Sequence, residues 1–237
     1  MRCHRSLLVL LLIPSTLSAT PPVWEVDAVH SRVLVAVDHA GFSQSLAIVP
    51  VTGGVLHYDP DAPASAQVSV ALAPARLDLG DARWNAAVHG SGLLDSARHP
   101  QAHFSSQQVI VQDDGQLQVH GQLELRGVQA PVVLQVTRNG QRRHPLPPFR
   151  QTVGFSATAA FSRAAFGADA WPAMVGDTVS VRIELEATRR RGHAAGRTTP
   201  QADQLPAAAN QARTAPEENG QSSSRPAASA STGTRSP

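Results

Sequence analysis

Hydrophobic and polar residues alternate along most of the chain between residues 31 and 187. The segment 176–187 shows the pattern most clearly, with aliphatic side chains at every second position: Val179, Val181, Ile183 and Leu185. The residues between them are serine, arginine and glutamate. A period of two is typical of a strand with one dry face and one wet face. The pattern therefore predicts a protein built from half-buried strands.

Eight segments carry this alternation and are predicted as strands: 32–38, 46–58, 68–72, 104–111, 117–125, 129–138, 153–161 and 176–187. The second contains Pro50 and the pair Gly53-Gly54, which predict a bulge or a sharp bend. Asp113-Asp-Gly115 predicts a tight hairpin turn between the fourth and fifth strands.

The alternation stops between residues 78 and 98, where a short helix is predicted. Trp84 and Val88 lie four residues apart, which places them on one helix face. Asp81 stands just before the segment and is a suitable N-cap.

These elements predict an all-β fold, an eight-stranded antiparallel barrel of lipocalin-like type with a short helical insertion between strands 3 and 4. The alternative architecture is an open β-sandwich. A sheet that closes on itself can enclose a hydrophobic ligand, so the distinction bears on function.

The two ends of the chain differ from this pattern. Residues 1–19 have a basic start, an apolar run and small residues before the predicted cleavage site, which are typical of a secretory signal peptide. Residues 20–188 are predicted to form one domain. Residues 189–237 are rich in Ala, Pro, Ser and Arg, with Leu205 the only large aliphatic residue, and are predicted to be a disordered tail. The protein is thus predicted to be periplasmic or secreted.

Charge gives little support for nucleic-acid binding. The chain has 20 basic residues, all arginine, but residues 21–188 hold 11 arginines against 15 acidic residues, a net charge of −4. The basic pI near 9.4 comes from the two ends of the chain. Few aromatic residues are interleaved with the arginines, so no nucleic-acid partner is predicted.

The sequence offers no catalytic or metal-binding constellation. The only cysteine, Cys3, precedes the apolar run of the signal peptide. Eight histidines in the domain are scattered, and His99 and His103 have Pro100 between them. No catalytic residue, metal site or cofactor is predicted. The alternative to a binding protein is an enzyme that acts on a lipid head group at the mouth of the barrel. Such an enzyme would need convergent groups at the mouth, such as Asp81, Arg83 and His89.

The inward strand faces supply the candidate ligand-binding residues. In strand seven, Ala157 and Ala159 stand between Phe155 and Phe161, so small side chains leave room along the barrel axis. The competing interpretation is that these alanines let a facing element approach, giving a packed structural core without ligand. The residues predicted to line the cavity of the barrel are Val35, Val37, Val70, Phe104, Leu123, Leu134, Phe155, Ala157, Phe161, Val181 and Ile183.

A series of short motifs between residues 24 and 187 resembles the YceI-like family of periplasmic lipid-binding barrels. Trp24-Glu-Val-Asp27 with His30-Ser31 is similar to the family's opening signature. Further motifs follow in the same order: His39-Ala-Gly-Phe-Ser43, Gly54 to Pro60, Leu94-Asp95 with His99-Pro100 and Phe104-Ser105, Leu125-Arg-Gly-Val128 with Pro131-Val132, and Phe161-Ser-Arg163 with Phe166-Gly167 and Gly176-Asp177. The stretch Trp84 to Val88 departs from the family's helix motif, so head-group contacts do not transfer.

The resemblance implies a non-enzymatic carrier or sequestering protein for a long apolar isoprenoid-type lipid, such as a polyprenyl chain or the tail of a quinone. No cofactor is predicted other than such a bound lipid, and no transmembrane segment is predicted in the mature chain. A homodimer is left open.

Overall fold

A computed structural model describes residues 21–190, and the strand pattern predicted from the sequence is present in it. The predicted signal peptide and all but the first two residues of the predicted tail lie outside the described residues. Within them there are nine strands: β1 (Val23–Val26), β2 (Arg32–His39), β3 (Ser43–His57), β4 (Gln67–Leu72), β5 (Ala102–Val111), β6 (Leu117–Leu125), β7 (Val128–Arg143), β8 (Gln151–Ser162) and β9 (Val175–Arg189). The one α-helix of this part of the chain is α1 (Ala82–His89).

Strands β2 to β9 form a closed antiparallel barrel in which each strand pairs with the next one along the chain. The ring closes where β9 pairs with β2, for example Val181 with Val35. The predicted eight-stranded barrel with a helix between its third and fourth strands is therefore confirmed. One further strand, β1, precedes the barrel strands in the chain and was not predicted. It pairs with β3 on one side and with the end of β9 on the other.

The inward face of the barrel carries the aliphatic residues of the alternating pattern. On β9, Val179 is buried in the interior, while Arg182 and Glu184 form an ion pair on the outer surface with 3.0 Å between Nη2 and Oε1. The apolar faces of the strands thus all point toward the axis of the barrel.

Strand β3 bends where the sequence predicted it. The pairing of β3 with β4 shifts register between Val51 and Gly53, which is a bulge. A side chain at Gly54 would lie 2.5 Å from the carbonyl oxygen of Ser69. The glycine therefore allows β3 and β4 to approach closely at the bend.

Because the barrel runs up and down, its connections gather at two ends. The helix end holds the connections 40–42, 73–101, 126–127 and 163–174. The opposite end, here called the tryptophan end, holds the connections 58–66, 112–116 and 144–150 together with β1.

Helix α1 begins at the N-cap predicted from the sequence. The Asp81 carboxylate accepts hydrogen bonds from the backbone N–H groups of Arg83 and Trp84, at 2.9 and 3.0 Å. These bonds satisfy two of the donors that a helix leaves free at its first turn. The helix belongs to the connection between β4 and β5, at the helix end of the barrel.

Candidate functional site

The barrel encloses an internal cavity of about 290 Å³. Its lining comes from every strand of the closed ring and from the connection that contains α1. Among the described side chains that border it, only Tyr58 and Arg163 carry polar atoms, and the accessible wall is almost entirely carbon. Such a space suits an apolar molecule, because water inside it would find almost no hydrogen-bond partners.

The structure places all eleven side chains that the sequence analysis proposed for a lipid cavity on the wall of this one space: Val35, Val37, Val70, Phe104, Leu123, Leu134, Phe155, Ala157, Phe161, Val181 and Ile183. Ala159 faces inward as well, but it packs against the core cluster around Phe166 and does not border the cavity. Alternation along a strand identifies the face of a residue, and it does not identify its height along the axis.

Sequence reasoning missed the lining residues that lie outside the strands. Leu77, Leu93 and Leu94 reach the cavity from the connection between β4 and β5, and Ala168 reaches it from the connection between β8 and β9. A period of two does not apply to such segments. Only Val88 had a signal in the sequence, its helical spacing from Trp84, and it borders the cavity from α1.

The tryptophan end is tightly closed. Trp24, Val153 and Ala187 are fully buried there. The Trp24 indole Nε1–H donates to the Tyr58 carbonyl oxygen at 3.0 Å, and the Tyr58 ring meets Phe155 edge-on with 5.3 Å between centroids. Burial raises the pKa of the Tyr58 phenol, which therefore stays neutral. This end forms the floor of the cavity.

The helix end is closed more loosely. None of the residues of α1 is fully buried, and Val88 and Leu94 are only half-buried where they border the cavity. A short helix without a buried face has few packing contacts to lose when it moves. The helix end is therefore the less tightly packed of the two ends.

Arg163 organises the connection between β8 and β9 at the helix end. Its buried guanidinium donates to the carbonyl oxygens of Gly176 and Val175, at 2.8 and 2.7 Å, and to that of Ala168. These three bonds hold the cation away from the cavity, so the aliphatic stem is the part that borders it. The arginine thus stabilises the connection between β8 and β9, and the cavity wall stays apolar.

Ser31 has a comparable structural role at the start of β2. It is fully buried, and its Oγ accepts from the backbone N–H of Glu186 at 3.1 Å. The neighbouring His30 pairs through Nδ1 with the Asp27 carboxylate at 2.8 Å. The hydrogen bond to Asp27 raises the pKa of the exposed His30 imidazole. Both residues lie at the tryptophan end and shape the chain around the floor of the cavity.

The groups required by the enzyme alternative do not converge. The Asp81 carboxylate is engaged as the N-cap of α1, and His89 lies at the other end of the helix, about 12 Å along its axis. His89 places Nδ1 2.9 Å from Ser96 Oγ, and the Arg83 side chain is exposed.

Among residues 21–190, no three His, Cys, Asp or Glu side chains come close enough together to hold a metal ion. His103 instead lies between two serine hydroxyls, with Nε2 2.9 Å from Ser69 Oγ and Nδ1 3.1 Å from Ser105 Oγ. No helix in the described part of the chain is both long and apolar enough to cross a bilayer.

Comparison with known proteins gives a consistent result. A family model described as a YceI-like domain matches residues 24–187. A UPF0312 protein of Shewanella sp. (strain W3-18-1) is 27% identical over 159 residues, which are 67% of this chain and 82% of the relative. A UPF0312 protein of Pseudomonas savastanoi pv. phaseolicola is 27% identical over 162 residues, 68% of this chain and 83% of the relative.

Two solved structures share the fold. BcnA of Burkholderia cenocepacia superposes with a TM-score of 0.60 at 23% identity, over 69% of this chain and 99% of that protein. The YCEI protein of Campylobacter jejuni gives a TM-score of 0.52 at 18% identity, over 58% of this chain and 81% of that protein. At these identities the likeness extends to the barrel architecture.

Proposed function

This chain belongs to the YceI-like domain family, and from that premise we propose that it binds an apolar isoprenoid-type lipid in the barrel cavity. The observation that carries the proposal is the cavity itself, a space of about 290 Å³ with a carbon wall. Protein interiors are normally packed without voids of this size, which argues against a filled structural core. The eleven lining residues predicted from the sequence are the proposed contacts.

The chemistry of the wall favours a hydrocarbon chain over a polar ligand. A polyprenyl chain needs no hydrogen bonds, and each methylene it buries contributes about 0.8 kcal/mol. A polar head group inside the cavity would lose its hydrogen bonds to water and regain almost none. The proposed pose therefore places the tail in the barrel and the head group, a hydroxyl or a quinone ring, at the helix end.

The proposed role is carriage or sequestration without chemical change. Within residues 21–190, the wall presents no carboxylate, histidine or hydroxyl nucleophile to a bound chain, apart from the neutral phenol of Tyr58. With the signal peptide predicted over residues 1–19, the proposed place of action is the periplasm or the exterior of the cell.

The experiment is native mass spectrometry of the purified protein combined with lipid extraction. We expect one bound lipid per chain, or uptake of one polyprenol or isoprenoid quinone when the empty protein is titrated in detergent. A straight-chain alcohol of equal carbon number is the control for the isoprenoid preference. A protein that neither retains nor takes up any such lipid would contradict the proposal.

A further inference from the structure

Four large apolar side chains are exposed at the helix end. Phe42, at the tip of the β2–β3 hairpin, is 91% exposed. Trp84 on the first turn of α1, and Trp171 and Met174 in the β8–β9 connection, are each about half exposed. We call these four residues the rim. They come from three different connections, so their exposure is not a property of one loop.

Backbone and ring contacts bring the rim residues together. The backbone N–H of Ala40 donates to the Met174 carbonyl oxygen at 2.8 Å, which ties the hairpin of Phe42 to the β8–β9 connection. The His39 and Trp84 rings lie 5.2 Å apart between centroids, with their planes tilted by 32°, which brings the same hairpin next to α1. The rim is therefore one patch at one edge of the helix end.

The rim is continuous with the cavity wall. Val88 lies one turn after Trp84 on α1 and borders the cavity, and Val175 follows Met174 in sequence and borders it as well. Val37, two residues before His39, is a third lining residue next to the rim. The rim therefore lies beside the part of the cavity wall that Val37, Val88 and Val175 form.

We propose that the rim inserts into the interfacial layer of a phospholipid bilayer and docks the helix end on the membrane. Tryptophan, phenylalanine and methionine suit this layer, and tryptophan is enriched there because its ring is apolar and its N–H polar. Docking would let an apolar chain move between the bilayer and the cavity without crossing water. This role in lipid transfer rests on the proposed lipid binding. The docking itself is independent of that function.

The charges around the rim favour a neutral lipid surface. The helix-end connections mix arginines with aspartates, and Arg98 pairs with Asp95 at 3.5 Å. A surface without an excess of one sign gains little from anionic lipids. Separate loop tips also provide no groove for a peptide or a helix, whereas a fluid bilayer accepts them individually. Docking is therefore expected on zwitterionic vesicles, with weak dependence on salt.

The chain's own tryptophans provide the measurement. It has three, and Trp24 is fully buried at the tryptophan end. A change in emission on adding vesicles therefore reports Trp84 and Trp171. With phosphatidylcholine vesicles we expect a blue shift, quenching by brominated acyl chains, and co-flotation of the full-length protein with the vesicles.

Paired variants locate the docking surface. Phe42→Ser with Met174→Ser removes two rim side chains, keeps the tryptophans, and should weaken vesicle binding about tenfold or more. The matched control is Leu146→Ser with Phe149→Ser, which removes two exposed apolar side chains at the opposite end. The control should bind vesicles like the unmodified protein, and both variants should keep its melting temperature.

Three outcomes would overturn docking through the rim: no vesicle binding by the unmodified protein, equal loss in both variants, or a dimer that only the rim variant dissociates. The last would mean that a second copy of the chain covers the rim. Lipid delivered in detergent separates this proposal from the proposed function. A rim variant that still takes up a polyprenol but no longer binds vesicles supports both, and vesicle binding without lipid uptake would refute only the lipid-binding function.

Discussion

At the scale of single residues, Ala157 and Ala187 resemble each other in sequence and differ in what surrounds them. Both lie on inward strand faces, but Ala157 borders the cavity, whereas Ala187 is fully buried in the packed floor. Ala157→Phe should place its ring in the free space, keep or raise the melting temperature, and reduce lipid uptake. Differential scanning calorimetry and native mass spectrometry measure both effects.

Ala187→Phe is the matched control for that substitution. Its ring must displace Trp24 or Val153, so we expect a loss of about 1–3 kcal/mol in the free energy of unfolding. In a domain of this size each kcal/mol lowers the melting temperature by about 2–4 °C. If Ala157→Phe proves as destabilising as Ala187→Phe, the space beside Ala157 is not available to a ligand.

A second pair of alanines, Ala157 and Ala159, indicates what the sequence can reveal about the site. Period two places a side chain inside or outside the barrel, and for Ala157 and Phe161 it identified residues that the structure puts on the cavity wall. It could not separate Ala157 from Ala159, because their distances from the cavity depend on how β7 and Phe166 pack against β8.

At the scale of elements, the β8–β9 connection depends on one side chain. Arg163→Met keeps the aliphatic stem but leaves the carbonyls of Gly176, Val175 and Ala168 without their donor. Hydrogen bonds to a buried charged group are worth about 1.5–3 kcal/mol each, so the variant should lose about 3 kcal/mol or more in chemical denaturation. Arg83→Met, on the exposed face of α1, should change stability by less than about 0.5 kcal/mol.

A different result would reassign the role of Arg163. If Arg163→Met unfolds at the same denaturant concentration as Arg83→Met, water satisfies the three carbonyls and the arginine is not what holds the connection. The stability of α1 should change little in either variant, because the Asp81 cap is intact in both.

The elements also differ in how well their pattern predicts them. Eight strands follow from alternation, and α1 follows from its spacing and its cap. Strand β1 was missed because four residues give too short a window for a period. The extension of β7 through 139–143 was missed because it is exposed and holds no apolar side chain. Backbone pairing with β8, such as Gly140 with Gly154, holds it in place.

At the scale of the whole molecule, the barrel needs the chain as far as Arg190. Trp24 pairs with Arg189, and Arg190 Nε lies 2.8 Å from a carboxylate oxygen of Glu25. A variant that ends at Arg190 should melt within a few degrees of the unmodified protein. One that ends at Glu186 loses Ala187 from the floor and the edge that holds β1, so it should melt at least about 5 °C lower.

Thermal melts of the two truncated chains, both beginning at residue 20, test this directly. A large loss of stability in the longer variant would mean that residues 191–237 contribute to the folded domain. We expect no such contribution, because the segment is rich in Ala, Pro, Ser and Arg and has a single large aliphatic residue.

The sealed floor has a consequence for selectivity. If the proposed lipid enters from the helix end, a slot that ends at Tyr58 and Phe155 works as a ruler, because each added isoprene unit would contribute affinity only until the chain reaches the floor. Beyond that length the extra units stay in water or in the bilayer and contribute nothing to the complex. The barrel would then sort lipids by tail length rather than by head group, and the Tyr58 and Phe155 rings on the floor would set the threshold.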